Sequence, residues 1–332
     1  MSYLDLHREV AQDIDAEIET ALERLGPLAN TTRDSVAKLL DHRKLRHPLS
    51  VLPLLAHAIE TGNPRPAIPL SAVHLLWWTS ACYLDDLADA NGTTLCGELT
   101  ENETLLASVI TGNAMPIQIL LELDLPASTR SALITEILNG WIVSVDGQID
   151  DMRGGARDAS RTSVIETYRS KSGAPFGMIT AMAAIFSGAP EEKIELWREF
   201  GFLFGILWQI FNDQEDILSG RHEDLLNGTV TYLLASVIED ASPGSREHIL
   251  SLCAAAGRSH HARSELAGLL RTSIALDRYR TEIEALRTEA YRILDELGGD
   301  ETYLRALRHL VDHASGMLLA PELSPAVVSG AA

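Results

Sequence analysis

Three carboxylates fall within five residues in Asp85-Asp86-Leu87-Ala88-Asp89, close behind the apolar run His74-Leu75-Leu76-Trp77-Trp78. On a helix, Asp85 and Asp89 lie one turn apart on one face, with Asp86 beside them. Like charges that close repel and want a cation between them. Hard oxygen donors in so small a number suit Mg²⁺, which keeps several waters and is completed by substrate phosphates. A solvated helix end would carry the same residues, so this cluster alone leaves both readings open. A second cluster, Asn212-Asp213-Gln214-Glu215-Asp216, closes another long apolar segment on the order of 130 residues later. In an antiparallel bundle such ends can meet across a cavity, and facing acidic patches repel unless metal bridges them. The chemistry this suits is diphosphate departure. Mg²⁺ neutralises the leaving group, a carbon–oxygen bond ionises, and an apolar cavity keeps water from the cation. Trp77, Trp78 and Trp208, near the clusters, could turn ring faces to that cation; ordinary core packing is the other reading of each.

The elements that must carry these residues read as helices. Leu4, Val10, Ile14, Ile18, Leu22 and Leu25 recur at helical spacing and stop at Gly26-Pro27. Asn30-Thr31-Thr32 opens a second helix, and 49–59 is a third. A helix over 71–89 presents the first cluster, and one over 191–218 presents the second. Between them lie a helix over 105–123 bent near Pro116, one over 128–150 carrying Trp141, and a small-residue stretch over 178–186. After the second cluster, 219–228 reads as a polar loop. Helices over 229–238, 245–256, 264–297 and 303–318 follow. No period-2 strand and no short repeat is present. The expectation is an all-α single domain over residues 1–320 with a frayed tail at 321–332.

Bulk properties narrow the function. The 332 residues are 46% hydrophobic and 22% charged, as in a globular protein. A net charge of −20 argues against nucleic acid or an anionic membrane as partner. The 3 cysteines have no zinc spacing and fit a reducing compartment. The N-terminus has no apolar leader core, and the apolar run near 202–211 is too short to span a bilayer. A cytoplasmic protein without a transmembrane segment is expected. Nucleophile-elbow, P-loop, dinucleotide and HExxH patterns are missing.

The ordered landmarks resemble the trans-isoprenyl diphosphate synthases. Asp85-Asp86-Leu87-Ala88-Asp89 matches that family's first DDxxD, and Asn212 to Asp216 its second, with Asn in the first place. Arg43-Lys44-Leu45-Arg46 is similar to the GGKRxRP segment without its glycines, Gly147-Gln148-Ile149-Asp150 to GQxxD, Lys171-Ser172-Gly173 to KTG, and Gln209 to the FQxxDD glutamine. The resemblance implies a helical bundle around a deep central cavity, usually homodimeric. It also implies roles. Asp85, Asp89 and Asn212 would hold two or three Mg²⁺ ions, while Asp86, Asp213 and Asp216 ligate metal or orient bound water. Lys171 would grip an allylic prenyl diphosphate. Arg43 and Arg46 would sit where isopentenyl diphosphate binds, and Gln209, Trp78 and Trp208 would line the substrate cavity.

Several family features are missing. The loop from Ala90 to Gly97 holds no cation where the family has RRGxPT. Trp78 stands in the place of a histidine, and Thr229 in that of the KxT lysine. Arg221 is the nearest substitute for the glycine–lysine loop. Each lost charge-assisted contact to diphosphate is worth about 1.5–3 kcal/mol. Asn212 also leans toward the NDxxSxxxE of class I terpene cyclases, but Asp216 and Gly220 stand where its Ser and Glu would be. The expected function is therefore a terpene synthase or cyclase on this scaffold. The alternatives are a prenyltransferase to another acceptor, which Arg43, Lys44 and Arg46 favour, a chain-elongating synthase, or a non-catalytic partner subunit. Ser80 and Ala81 are small, which suggests room for a long chain beneath the first cluster.

Overall fold

The computed structural model describes residues 1–26, 29–42, 49–88 and 98–320. Arg43, Lys44, Arg46, Asp89, the loop 90–97 and the tail 321–332 lie outside the described residues. Among those described there are sixteen α-helices and no strand. The all-α expectation holds.

The helices that matter for the site are α1 (Tyr3–Glu23), α2 (Asn30–His42), α3 (Leu52–Thr61), α4 (Ile68–Ala88), α5 (Glu101–Val109), α6 (Met115–Glu122), α7 (Ala127–Arg153), α8 (Arg161–Tyr168), α9 (Ala174–Ser187) and α10 (Glu191–Ser219). The chain is completed by α11 (Glu223–Asn227), α12 (Tyr232–Asp240), α13 (Pro243–Ala256), α14 (His260–Leu270), α15 (Ser273–Leu297) and α16 (Glu301–Ala314). The helix expected over 264–297 is two, α14 and α15, and α11 lies within the loop expected over 219–228.

The fold is organised about α9 and α10. Residues 188–190 join them in a tight turn with Gly188 at φ 77°, so they run antiparallel. Their axes come close because α10 presents glycines. A Cβ at Gly201 would collide with the Phe176 carbonyl and Thr180 Oγ1, and one at Gly205 with the Ser172 carbonyl. From α9 the bundle extends to α7 and α3, and from α10 to α15. Ion pairs fix α10 to its neighbours. Glu60 on α3 accepts from Trp197 Nε1 at 2.9 Å and Lys193 Nζ at 2.8 Å, and Glu136 on α7 accepts from Arg198 at 3.0 Å.

Two long helices are interrupted by π-helical turns and not by breaks. Ile110–Ala114 joins α5 to α6, and Arg169–Gly173 joins α8 to α9. Each is followed by a proline, Pro116 or Pro175, which brings no N–H to the carbonyl four residues before it. For Pro116 that carbonyl is Gly112, and Trp141 Nε1 donates to it at 3.0 Å. The bend expected near Pro116 is thus a π turn that also anchors a cavity tryptophan. Ser80 is small for this turn and not for a substrate. A Cβ at Gly112 would strike Ser80, whose Oγ donates to the Ser108 carbonyl at 2.7 Å.

Two helical stretches, Arg65–Ala88 and Glu101–Glu122, are long and apolar enough to cross a membrane, contrary to the expectation from 202–211. Their windows are 67% and 50% buried within the bundle, as core helices are.

Candidate active site

The last turns of α4 and α10, the inner face of α7 and the π turn before α9 enclose a cavity of about 310 Å³. Asp85, Asn212, Asp213, Gln209 and Lys171 all line it, together with Trp78. The two acidic clusters therefore do meet across one cavity.

Lys171 is at the centre of the charge pattern. The π turn that carries it is clamped to α10 by Arg169, which pairs with Glu199 at 2.9 Å and stacks over the Phe202 ring at 4.2 Å. The Lys171 ammonium lies 3.2 Å from Asp85 and 2.8 Å from Asp151. Burial opposes its charge, but Asp85 and Asp151 outweigh burial and hold its pKa above the ordinary lysine value. Asp151 is one residue beyond the Asp150 assigned from the sequence. Counting GQxxD from Gly147 puts the aspartate fifth, at Asp151. One helical turn from Gly147 also puts it on the inner face, while Asp150 is exposed.

Asp213 is 2% exposed and held by two partners. The Tyr168 hydroxyl donates to its Oδ2, and Gln209 Nε2 donates to Oδ1 at 2.8 Å. Ser172 Oγ donates in turn to Gln209 Oε1 at 2.6 Å, which fixes the amide's orientation. Burial raises the Asp213 carboxyl to about 7; the Tyr168 and Gln209 hydrogen bonds oppose this, and the Asp151 charge adds to it. Tyr168 also accepts from the Tyr232 N–H at 2.9 Å, so it ties α8, α10 and α12 together at the site. Asp224, from α11, lines the same cavity. Burial, then Asp213 and Asp216, raise its pKa well above the ordinary value.

Other expected site residues are placed differently. Asp216 is buried, but its carboxylate caps α11, accepting from the Glu223 N–H at 2.9 Å and the Asp224 N–H at 3.3 Å. It is not among the cavity-lining residues, and neither is Asp86. Trp208 stacks on Phe204 and Phe211 with centroids 6.5 and 5.8 Å apart, along a neighbouring face of α10. It is packing and does not line the cavity. Arg221 is exposed and pairs with Glu223 at 3.5 Å, so it supplies no cation inside. The far end of the cavity is instead built by Trp77 and Trp141, with ring centroids 4.4 Å apart, and by Trp78, 4.8 Å from Phe176. Asp151, Tyr168 and Asp224 went unassigned from sequence. Only Asp151 had a signal, the register of GQxxD.

The described lining thus sets four carboxylates, Asp85, Asp151, Asp213 and Asp224, against one ammonium, Lys171. No group of three or more His, Cys, Asp or Glu among the described residues would hold an ion by itself. Hard oxygen donors shared between facing helices fit cations completed by water and phosphate, not an all-protein cage.

A family model of polyprenyl synthetases matches residues 49–268. The chain belongs to the polyprenyl synthetase family. The chain is similar to a short chain isoprenyl diphosphate synthase from Methanothermobacter thermautotrophicus, 23% identical over 270 residues, which cover 76% of this chain and 80% of the relative. Solved structures agree on the fold. A geranylgeranyl pyrophosphate synthetase from Pyrococcus horikoshii superposes with a TM-score of 0.78 at 18% identity, covering 95% of this chain and 98% of that one. A decaprenyl diphosphate synthase from Rhodobacter capsulatus reaches 0.79 at 18% identity, covering 94% and 98%. As a polyprenyl synthetase the chain is an enzyme-family member that acts on prenyl diphosphates, with the all-α fold expected from its helical periodicity.

Proposed function

We propose that this polyprenyl synthetase is a Mg²⁺-dependent prenyltransferase that ionises an allylic prenyl diphosphate and extends it with isopentenyl diphosphate. The observation that carries this reading is Lys171 held between Asp85 and Asp151 at an apolar cavity whose opposite wall is Asn212 and Asp213. The name of the Methanothermobacter relative also favours elongation over the cyclisation suggested by the missing arginines. Lys171 grips the departing diphosphate as a charge-assisted donor. Asp85, Asn212 and Asp213, with Asp89, are the candidates to hold Mg²⁺ directly or through water. Bound Mg²⁺ supplies charge neutralisation of the leaving diphosphate. The tryptophan-lined end excludes water and offers ring faces to positive charge.

The Trp77–Trp141 pair limits how far a chain can extend. Trp77 precedes Asp85 by two helical turns, about 12 Å of α4. Replacing Trp77 with Leu is expected to lengthen the product, as read by mass spectrometry of extracted lipids. An unchanged product distribution would remove this pair as the length limit.

A second reading, cyclisation or water capture, is favoured by one observation. Among cavity-lining residues, buried Trp77 Nε1, Ser144 Oγ and Gln148 Nε2 have no hydrogen-bond partner. Incubating the protein and Mg²⁺ with prenyl diphosphates of several lengths, with and without isopentenyl diphosphate, separates the readings. A longer diphosphate formed only with isopentenyl diphosphate supports elongation. A hydrocarbon or alcohol formed without it supports the second reading, and no turnover sinks both.

We also propose a homodimer through α7. Its outer face leaves Leu138, Ile142, Val145, Ile149 and Met152 between 38% and 68% exposed, a stripe unlike a solvated helix surface. An isologous contact would bury it. Ile142→Glu is expected to halve the mass measured by light scattering after gel filtration; a monomeric wild type would refute the proposal.

A further inference from the structure

A second cavity, also of about 310 Å³, lies against the other side of α11. Helix α11 divides the two. Asp224 and Thr229 line the diphosphate cavity, while Leu225, Gly228 and again Thr229 line the second. The walls of the second cavity are aliphatic, with Leu234, Leu250 and Leu266 prominent, and Cys253 is the thiol among them. Its one charged lining residue is Arg157, whose side chain is 70% exposed and only loosely paired to Glu247 at 3.7 Å. The cavity opens to solvent beside Arg157. A branched hydrocarbon fits it at roughly 25 cal/mol per Å² of apolar surface removed from water.

We propose that this second cavity binds a prenyl chain, and that its occupancy is relayed through α11 to the diphosphate cavity. The choice of occupant rests on the functional reading above, since a prenyl chain is the hydrocarbon such an enzyme handles. The relay rests on geometry. Helix α11 has five residues and is bracketed by Gly220 at φ 74° and Gly228 at φ 79°; His222, at φ 52°, is the one non-glycine residue with positive φ among those described. Such short, turn-bracketed elements are where chains hinge. Its first turn hangs from Asp216 by two N–H bonds, at 2.9 and 3.3 Å, and its end is closed by the Thr229 N–H to the Asp224 carbonyl at 2.9 Å. Displacing Leu225 from one side therefore moves Asp224 on the other, with Thr229 where the two cavities meet, and loads the contact to Asp216 in the second acidic cluster.

The test uses farnesol, which has the hydrocarbon but no diphosphate, and inorganic diphosphate with Mg²⁺ as the probe of the first cavity. In the wild type, saturating farnesol is expected to change the dissociation constant of Mg²⁺–diphosphate at least about fivefold, the lower range of ordinary site-to-site coupling. Ala254→Trp, at an exposed wall position of the second cavity, is expected to bind Mg²⁺–diphosphate as the wild type does and to lose the farnesol effect. An equal effect in both proteins, or none in the wild type, overturns the relay. If Mg²⁺–diphosphate does not bind at all, the functional reading fails, and equilibrium dialysis of labelled farnesol still decides the cavity. Uptake reduced by one site in Ala254→Trp supports it, and equal uptake in both proteins overturns it.

Discussion

Replacing Asp85 with alanine is expected to lower diphosphate release by about three orders of magnitude or more, with little effect on folding. Neutralising a leaving diphosphate through metal is worth several kcal/mol, and each 1.36 kcal/mol is tenfold in rate. Asp85 also meets Lys171 at 3.2 Å, so its loss frees the lysine toward Asp151 and weakens its aim at the substrate. The Asp85 side chain is 37% exposed, and removing a partly solvated pair costs little stability. The measurement is single-turnover diphosphate release across a Mg²⁺ titration, alongside the urea midpoint. Turnover equal to wild type would sink the metal-site reading. A collapse of the urea midpoint would reassign Asp85 to structure.

The second large effect concerns Asp213. Its carboxyl is raised by burial from an ordinary 3.8 to about 7 in the folded chain. Below pH 4 the group is protonated whether folded or unfolded and costs nothing. As pH rises from about 4 toward 7 the unfolded chain releases the proton and the folded chain does not, so stability falls across that window. The loss is about 1.4 kcal/mol per pH unit while the difference lasts. Asp213→Asn is expected to remove this slope, while losing activity. Urea unfolding of both proteins at pH 5 and pH 7.5, in chelator, reads the difference directly. Parallel pH dependence in the two proteins would show that burial of Asp213 carries no such cost. The same proton must leave for Asp213 to ligate a cation, so Mg²⁺ affinity is expected to rise with pH through about 7.

Much of this molecule is written in local patterns. The helices that carry the two clusters were legible because each is a long apolar segment ending in carboxylates; α4 and α10 lie close to the ranges read from sequence. What was not legible depends on contacts between distant segments. Trp208 looks like a cavity residue by its place beside Gln209, yet stacking on Phe204 and Phe211 turns it aside. Ser80 looks like an opening, yet its size serves the close approach of Gly112. Arg221 is near the site in sequence, but Glu223 holds it at the surface. The break before α15 has neither glycine nor proline, and α11 is too short for any periodicity to register. Arg43, Arg46 and Asp89 lie outside the described residues.

The two π turns have a consequence for how this chain could change. A π turn holds one more residue than the α turn it replaces, so it works as a phase shifter in an otherwise continuous rod. At Arg169–Gly173 the shift lets α8 place Tyr168 on Asp213 while Lys171 points between Asp85 and Asp151. Deleting one residue there would restore a regular α turn between α8 and α9 and re-aim the side chains of the turn itself, Lys171 among them. Tyr168 and Lys171 would then no longer reach the same cavity together. Substitutions can tune this site one side chain at a time, but its length in that turn is a counting constraint. An inserted or lost residue at 169–173 is less tolerable than nearly any replacement there.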